Sequence, residues 1–171
     1  MPKQSDRAGR LTRMALLTAI ALTIFMAEAQ LPNPIPIPGV KLGLANIVTV
    51  YAMFVLGAGD ALMILLARVF LGSVFSGQMM TLFYSLSGGL LCWLAMLVLR
   101  RLLTRRQIWV CSIIGGGCHN IGQLAAAILI ARTPALVVYL PYLLPAGMAA
   151  GLFTGLCAQF LVARLDKTNG G

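Results

Sequence analysis

From residue 14 to residue 162 the chain is almost unbroken apolar sequence, interrupted only by short polar punctuation. With 60% hydrophobic and 10% charged residues in a length of 171, a soluble fold has too little interior to hide that surface. A bilayer removes the difficulty, because hydrocarbon is then the solvent for the outward-facing side chains. Apolar runs of about 20 residues cross such a layer as helices, which satisfy their own backbone groups. The expectation is an all-α integral membrane protein with one transmembrane domain over residues 1–171.

The net charge of +9 raises the question of a nucleic-acid partner, and the placement of the charges argues against one. Lys3, Arg7, Arg10 and Arg13 precede the first apolar run, Arg100, Arg101, Arg105 and Arg106 lie between two later runs, and Arg164 and Lys167 follow the last. Basic residues flanking spans report topology through the positive-inside bias. This assigns residues 1–13 and 100–107 to basic segments on the cytoplasmic side of a membrane. Cys92, Cys111, Cys118 and Cys157 all sit in apolar runs without a C-x-x-C pair, and the chain has a single histidine, so no metal site is expected. Ala27-Glu28-Ala29 imitates a signal-peptide cleavage site, but the long basic stretch favours a retained first span.

Residues 11–31, 79–99 and 108–131 each fit one span. Residues 42–75 would make a single helix roughly 50 Å long, too long for one crossing. Gly57-Ala58-Gly59-Asp60 supplies a turn near the middle, which divides the stretch into two short spans. Pro141 and Pro145 are expected to break an outer segment from a last span over residues 145–162. The result is a six-helix bundle with both termini cytoplasmic, the arrangement that keeps all three basic clusters on one side. Residues 31–41, with prolines at alternate positions from Pro32 to Pro38, form a stiff extended outer loop.

Two stripes of small residues run along these spans. Ala15, Ala19, Thr23 and Ala27 recur every fourth residue on the first, and Gly147, Gly151 and Gly155 on the last. Such spacing lets helix backbones approach closely, which drives association in lipid. The glycines suit packing within the bundle, and the alanine face suits either internal packing or a partner subunit. Polar residues also stand at membrane depth: Glu28, Asn46, Arg68, Gln78, His119, Asn120 and Gln123. Groups of this kind are costly in lipid and face a partner or a wet cavity. Glu28 lies roughly 160° around the helix from the alanine stripe, so a partner on the stripe puts Glu28 in the interior. There it either pairs with Lys41 or Arg68 or serves a ligand. His119 and Gln123 share a face, with Gly115 and Gly122 beside them to leave room. Arg68 keeps its charge at any depth. Convergence of Arg68 with Lys41 and His119, oriented by Asn46, Asn120 and Gln123, would make a cationic pocket for an anionic ligand.

The chain has no phosphate-binding G-x-x-x-x-G-K-[ST] loop, no nucleophile elbow and no zinc-protease motif. Asp6, Glu28, Asp60 and Asp166 are its acidic residues, and no two are neighbours. Magnesium-dependent diphosphate chemistry needs clustered carboxylates, so the chain alone is not expected to be an enzyme, nor to carry a cofactor.

Four segments carry a resemblance: Pro36-Ile37-Pro38-Gly39-Val40-Lys41-Leu42-Gly43-Leu44-Ala45-Asn46, Ala67-Arg68-Val69-Phe70-Leu71-Gly72-Ser73, Ser85-Leu86-Ser87-Gly88-Gly89 and Cys118-His119-Asn120-Ile121-Gly122-Gln123. Together they resemble the bacterial membrane family labelled heptaprenyl diphosphate synthase component I, also called the Gx transporter family. That family is grouped with the substrate-binding S components of energy-coupling factor transporters. The resemblance implies a six-helix bundle with an outward-facing pocket, and an A-x-x-x-A docking motif that Ala15 and Ala19 match. It also implies a coupling subunit and ATPases as partners. The expected function is capture of a small anionic molecule, such as an isoprenoid or quinone-type precursor. The alternative is a membrane accessory subunit of a polyprenyl diphosphate synthase.

Overall fold

The computed structural model describes residues 4–30, 41 and 43–169. They form helices throughout, with no strand among the described residues: α1 (Gln4–Ala29), α2 (Asn46–Val55), α3 (Ala58–Ser76), α4 (Met79–Leu99), α5 (Ile108–Ala131) and α6 (Leu140–Asn169). Short 3-10 turns at Arg105–Gln107 and Pro134–Tyr139 lead into α5 and α6. Five helical stretches are long and apolar enough to cross a membrane: Arg7–Ala29, Ala58–Ser76, Met79–Leu99, Ile108–Ala131 and Pro134–Leu165. Large apolar side chains such as Leu16, Phe70, Phe83, Val98 and Leu129 point out of the bundle. Lipid is the medium that accepts them, and the chain is a multi-pass helical membrane protein.

The ten-residue α2 is the departure from expectation. It extends only about 15 Å, half the hydrocarbon thickness, and does not cross by itself. The division of residues 42–75 falls where the glycines place it. Gly57 has φ 111°, a conformation that glycine adopts without strain, and it turns the chain from α2 into α3. Both ends of this turn are fastened to α4. The Arg100 guanidinium donates to Met53 O at 3.3 Å, and the Trp93 indole donates to Ala58 O at 3.0 Å. A cation at the carbonyl end of α2 also complements its dipole. Arg100, expected only to mark topology, therefore has a structural use. So does Arg10, which forms a two-pronged ion pair with buried Asp60 in the first turn of α3.

Pro145 does not break the last helix. It lies inside α6, which begins at Leu140. Only the bond from residue 145 to the Pro141 carbonyl is forfeited, close to an end where the first four N–H groups lack helical partners anyway. The outer segment set apart is instead the Pro134–Tyr139 turn.

α5 is the centre of the bundle, packed between α4 and α6, and glycines set its separation from both. On the α6 side, a Cβ at Gly151 would lie 2.3 Å from Ser112 O, and one at Gly155 2.6 Å from Ser112 Cβ. A Cβ at Gly147 would lie 2.6 Å from Gly116 O, so all three glycines of the last helix face α5 at backbone contact. On the α4 side, Gly122 meets Ser87 O and Gly88 meets His119 O, both at 2.8 Å or less from an added Cβ.

Candidate functional site

The site begins with backbone that is not helical. Between α1 and α2 the chain runs through Lys41, Gly43, Leu44 and Ala45 inside the bundle, where amide groups left unbonded are costly. The amides of Lys41, Gly43 and Leu44 are met by side chains. The Glu28 carboxylate accepts from Gly43 N at 2.7 Å and Leu44 N at 2.9 Å, and the Gln123 side-chain oxygen accepts from Lys41 N at 3.3 Å. Asn46 N then bonds to Gly43 O and Ile47 N to Leu44 O, which winds the chain into α2. A carboxylate at this end also opposes the positive pole of the helix. Gly43 is required twice over. Its φ is +83°, and a Cβ would stand 2.9 Å from both Asn46 Nδ2 and His119 Cδ2.

Around this seam lie two cations. Arg68, 2% exposed, projects from the middle of α3 and donates from Nη2 to Asn46 Oδ1 at 3.4 Å, a long bond. The half-buried Lys41 ammonium stands 3.7 Å from the centroid of the Phe25 ring, and Arg68 Cζ stands 6.0 Å from the same ring. Phe25 thus presents its negative face to both charges. Gly72 makes room for it, since a Cβ there would fall 2.7 Å from the ring. Burial lowers the Lys41 pKa from the usual lysine range; the Glu28 charge opposes that shift and Arg68 adds to it.

Glu28 is buried, while Ala15, Ala19, Thr23 and Ala27 lie on the exposed face of α1. Of the two roles open to it, an ion pair with Lys41 or Arg68 is not formed among the described residues, and the carboxylate accepts the two amide bonds instead. Lys41, Asn46, Arg68, His119 and Gln123 come together around the Gly43 seam. Asn120 turns the other way and donates to Leu143 O on α6 at 2.6 Å. Gln78 is exposed at the start of α4, where it accepts from Thr81 Oγ1, and is not at the site. Gly115 and Gly122 do not leave room for a ligand. Cys92 and Met96 fill the space at the first, and the α4 backbone at Ser87 and Gly88 fills it at the second.

Among the described residues, four buried side-chain atoms lack a hydrogen-bond partner: Thr49 Oγ1, Arg68 Nε, His119 Nδ1 and Asn120 Oδ1. Such atoms are rare in folded proteins and costly, and Arg68 Nε belongs to a side chain that reaches the seam. A cavity of about 10 Å³ adjoins it, lined by residues including Gly43, Asn46, Ser112 and Thr154, with space for a single water. No group of three His, Cys, Asp or Glu side chains comes together among the described residues. Phe25 is the site residue that the sequence reading overlooked, although it lies one turn before Glu28 on the same face of α1. Residues 31–40, the proline-rich loop, lie outside the described residues.

A half-length helix seated in a bundle of membrane-length helices, with buried Arg68 and half-buried Lys41 near its start, defines a polytopic membrane protein with a polar, occluded centre. Within that class, the chain belongs to the heptaprenyl diphosphate synthase component I family, whose model matches residues 17–161. The match takes in every residue of the seam, from Phe25 to Gln123. The family's description names one component of a synthase, and the chain is not itself the enzyme. No curated protein and no solved structure matches the chain.

Proposed function

We propose that the chain is the substrate-capture subunit of a transporter, S-component-like, in the bacterial inner membrane, and that it binds a small anionic molecule. The observation that carries this reading is the meeting, at the seam, of buried Arg68, whose Nε has no partner, with the half-buried Lys41 ammonium. A purely structural cation at this depth would be expected to have its donors satisfied. The ligand class we propose is an isoprenoid or quinone-type precursor, of which the heptaprenyl diphosphate in the family's description is suggestive. In this reading α2 and the seam before it stand in for the sixth span, and both termini are cytoplasmic. Ala15, Ala19 and Thr23 form the face for a coupling subunit that works with ATPases.

The family's description favours a second reading equally: a membrane accessory subunit that assists a heptaprenyl diphosphate synthase. Affinity purification of the full chain from its native membranes separates the two. Transport predicts co-purified coupling and ATPase subunits, lost when Ala15→Leu and Ala19→Leu hold the helices apart. The accessory role predicts a co-purified prenyl diphosphate synthase. Its recovery without any ATPase would overturn the transport reading.

A further inference from the structure

The Glu28 carboxylate sits in a place built for an anion. Two backbone amides converge on it at the positive end of α2, and two cations stand by without bonding to it. The unpartnered Nε of Arg68 belongs to a side chain 98% buried, by the 2% exposure given above, whose Nη2 reaches the first residue of α2. His119, also buried, lies against Gly43. The adjoining cavity of about 10 Å³ admits nothing larger than water. Among the described residues, an anion bound at the Gly43 and Leu44 amides takes the place of the carboxylate already there. Glu28 is the group whose departure frees anion donors, and it lies one residue from the end of α1.

We propose that the amides of Gly43 and Leu44, with Lys41 and Arg68, form the seat for the ligand's anionic head, and that Glu28 is its resident occupant until a dianion displaces it. This rests on the anion-binding reading above. The charge balance selects the class of head group. Two cations facing one carboxylate leave the seam with an excess positive charge, and a phosphate-like dianion in place of Glu28 neutralises both. Glu28 then acts as a built-in competitor that keeps the polar centre satisfied when no ligand is bound.

The test uses the full chain in lipid nanodiscs and inorganic phosphate as the probe, at a pH where it is dianionic. Calorimetry gives the affinity, and the amide signals of ¹⁵N-glycine- and ¹⁵N-leucine-labelled protein report Gly43 and Leu44. Phosphate should shift both amides in the wild type, whereas chloride at equal ionic strength should not. Glu28→Gln, a weaker occupant, should bind phosphate at least about tenfold more tightly, and adding Arg68→Gln should remove the gain. If Glu28→Gln does not fold, Glu28→Asp, one methylene too short to span both amides, should also tighten binding. Arg68-dependent binding that is unchanged or weakened in the Glu28 variants overturns the displacement proposal alone. Absence of phosphate binding in every variant overturns it together with the dianion class, while retention of some other anion would leave the broader reading standing.

Discussion

Gly116 and Gly117 are consecutive residues of α5, yet replacing each with alanine should shift stability in opposite directions. At Gly116 a new Cβ would lie 2.2 Å from Gly147 O, where ordinary contact begins at 3.4 Å, so α5 and α6 must separate by about 1 Å. Overpacking of this kind costs about 1–3 kcal/mol. The same separation stretches two buried bonds that tie the helices together, Ser112 Oγ to Thr154 Oγ1 at 3.1 Å and Asn120 Nδ2 to Leu143 O at 2.6 Å. Each is worth about 1 kcal/mol net, and the higher helix propensity of alanine returns up to about 1 kcal/mol. The net loss for Gly116→Ala is about 2–4 kcal/mol. At Gly117 the new methyl would meet Met148 Cγ at 3.6 Å and Leu144 Cδ2 at 3.8 Å, which is normal packing, so Gly117→Ala is neutral or stabilising by up to about 1 kcal/mol. Reversible unfolding in mixed micelles, or steric trapping, resolves a difference of this size. Equal stability of the two variants would refute the close α5–α6 approach.

Single reporter cysteines at Ser5, Thr104 and Thr168, in a background without Cys92, Cys111, Cys118 and Cys157, should all be labelled from the cytoplasmic side; labelling of Thr168 from outside would exclude an even number of crossings. Asp60→Asn and Arg10→Gln should each lower the unfolding midpoint, less so in high salt, and the double variant should be no worse than the worse single. Sulfate, whose charge is constant across the range, should bind less tightly as pH rises toward the usual lysine range. The loss comes at lower pH than for a free lysine, because burial lowers the Lys41 pKa and the ammonium is neutralised early. Lys41→Arg should keep sulfate affinity flat across the same interval, and an unchanged alkaline loss would show that another group titrates.

Helices α4 and α5 could be read almost directly from the chain, because polar residues bound each apolar run and the run itself is as long as the membrane is thick. Helical geometry puts Glu28 opposite the alanine stripe, so its inward direction follows only once that stripe is placed facing outward. The length of α2 was not legible. It depends on whether the backbone before it can be satisfied inside the bundle, and the acceptors are Glu28 and Gln123, which lie 15 and 82 residues away from their donors. The roles of Arg10 and Arg100 were hidden for the same reason. A basic residue beside a span looks like a topology marker until the fold brings Asp60 or a helix carbonyl to it. Gly115 and Gly122 misled in the opposite sense: small residues near polar ones read equally as room for a ligand or for a neighbouring helix, and α4 fills the space.

The central claim is that Arg68 at the buried seam holds an anion, and native mass spectrometry of the chain purified gently from its own membranes tests it most directly. The account predicts an anionic small molecule retained by the wild type and lost from Arg68→Gln, with both proteins equally folded. Loss of a charge-assisted bond at this depth should weaken binding roughly a hundredfold. Retention of the same molecule by Arg68→Gln would contradict the claim. So would collapse of the Arg68→Gln bundle with rescue by Glu28→Gln, which would make the two residues a structural pair.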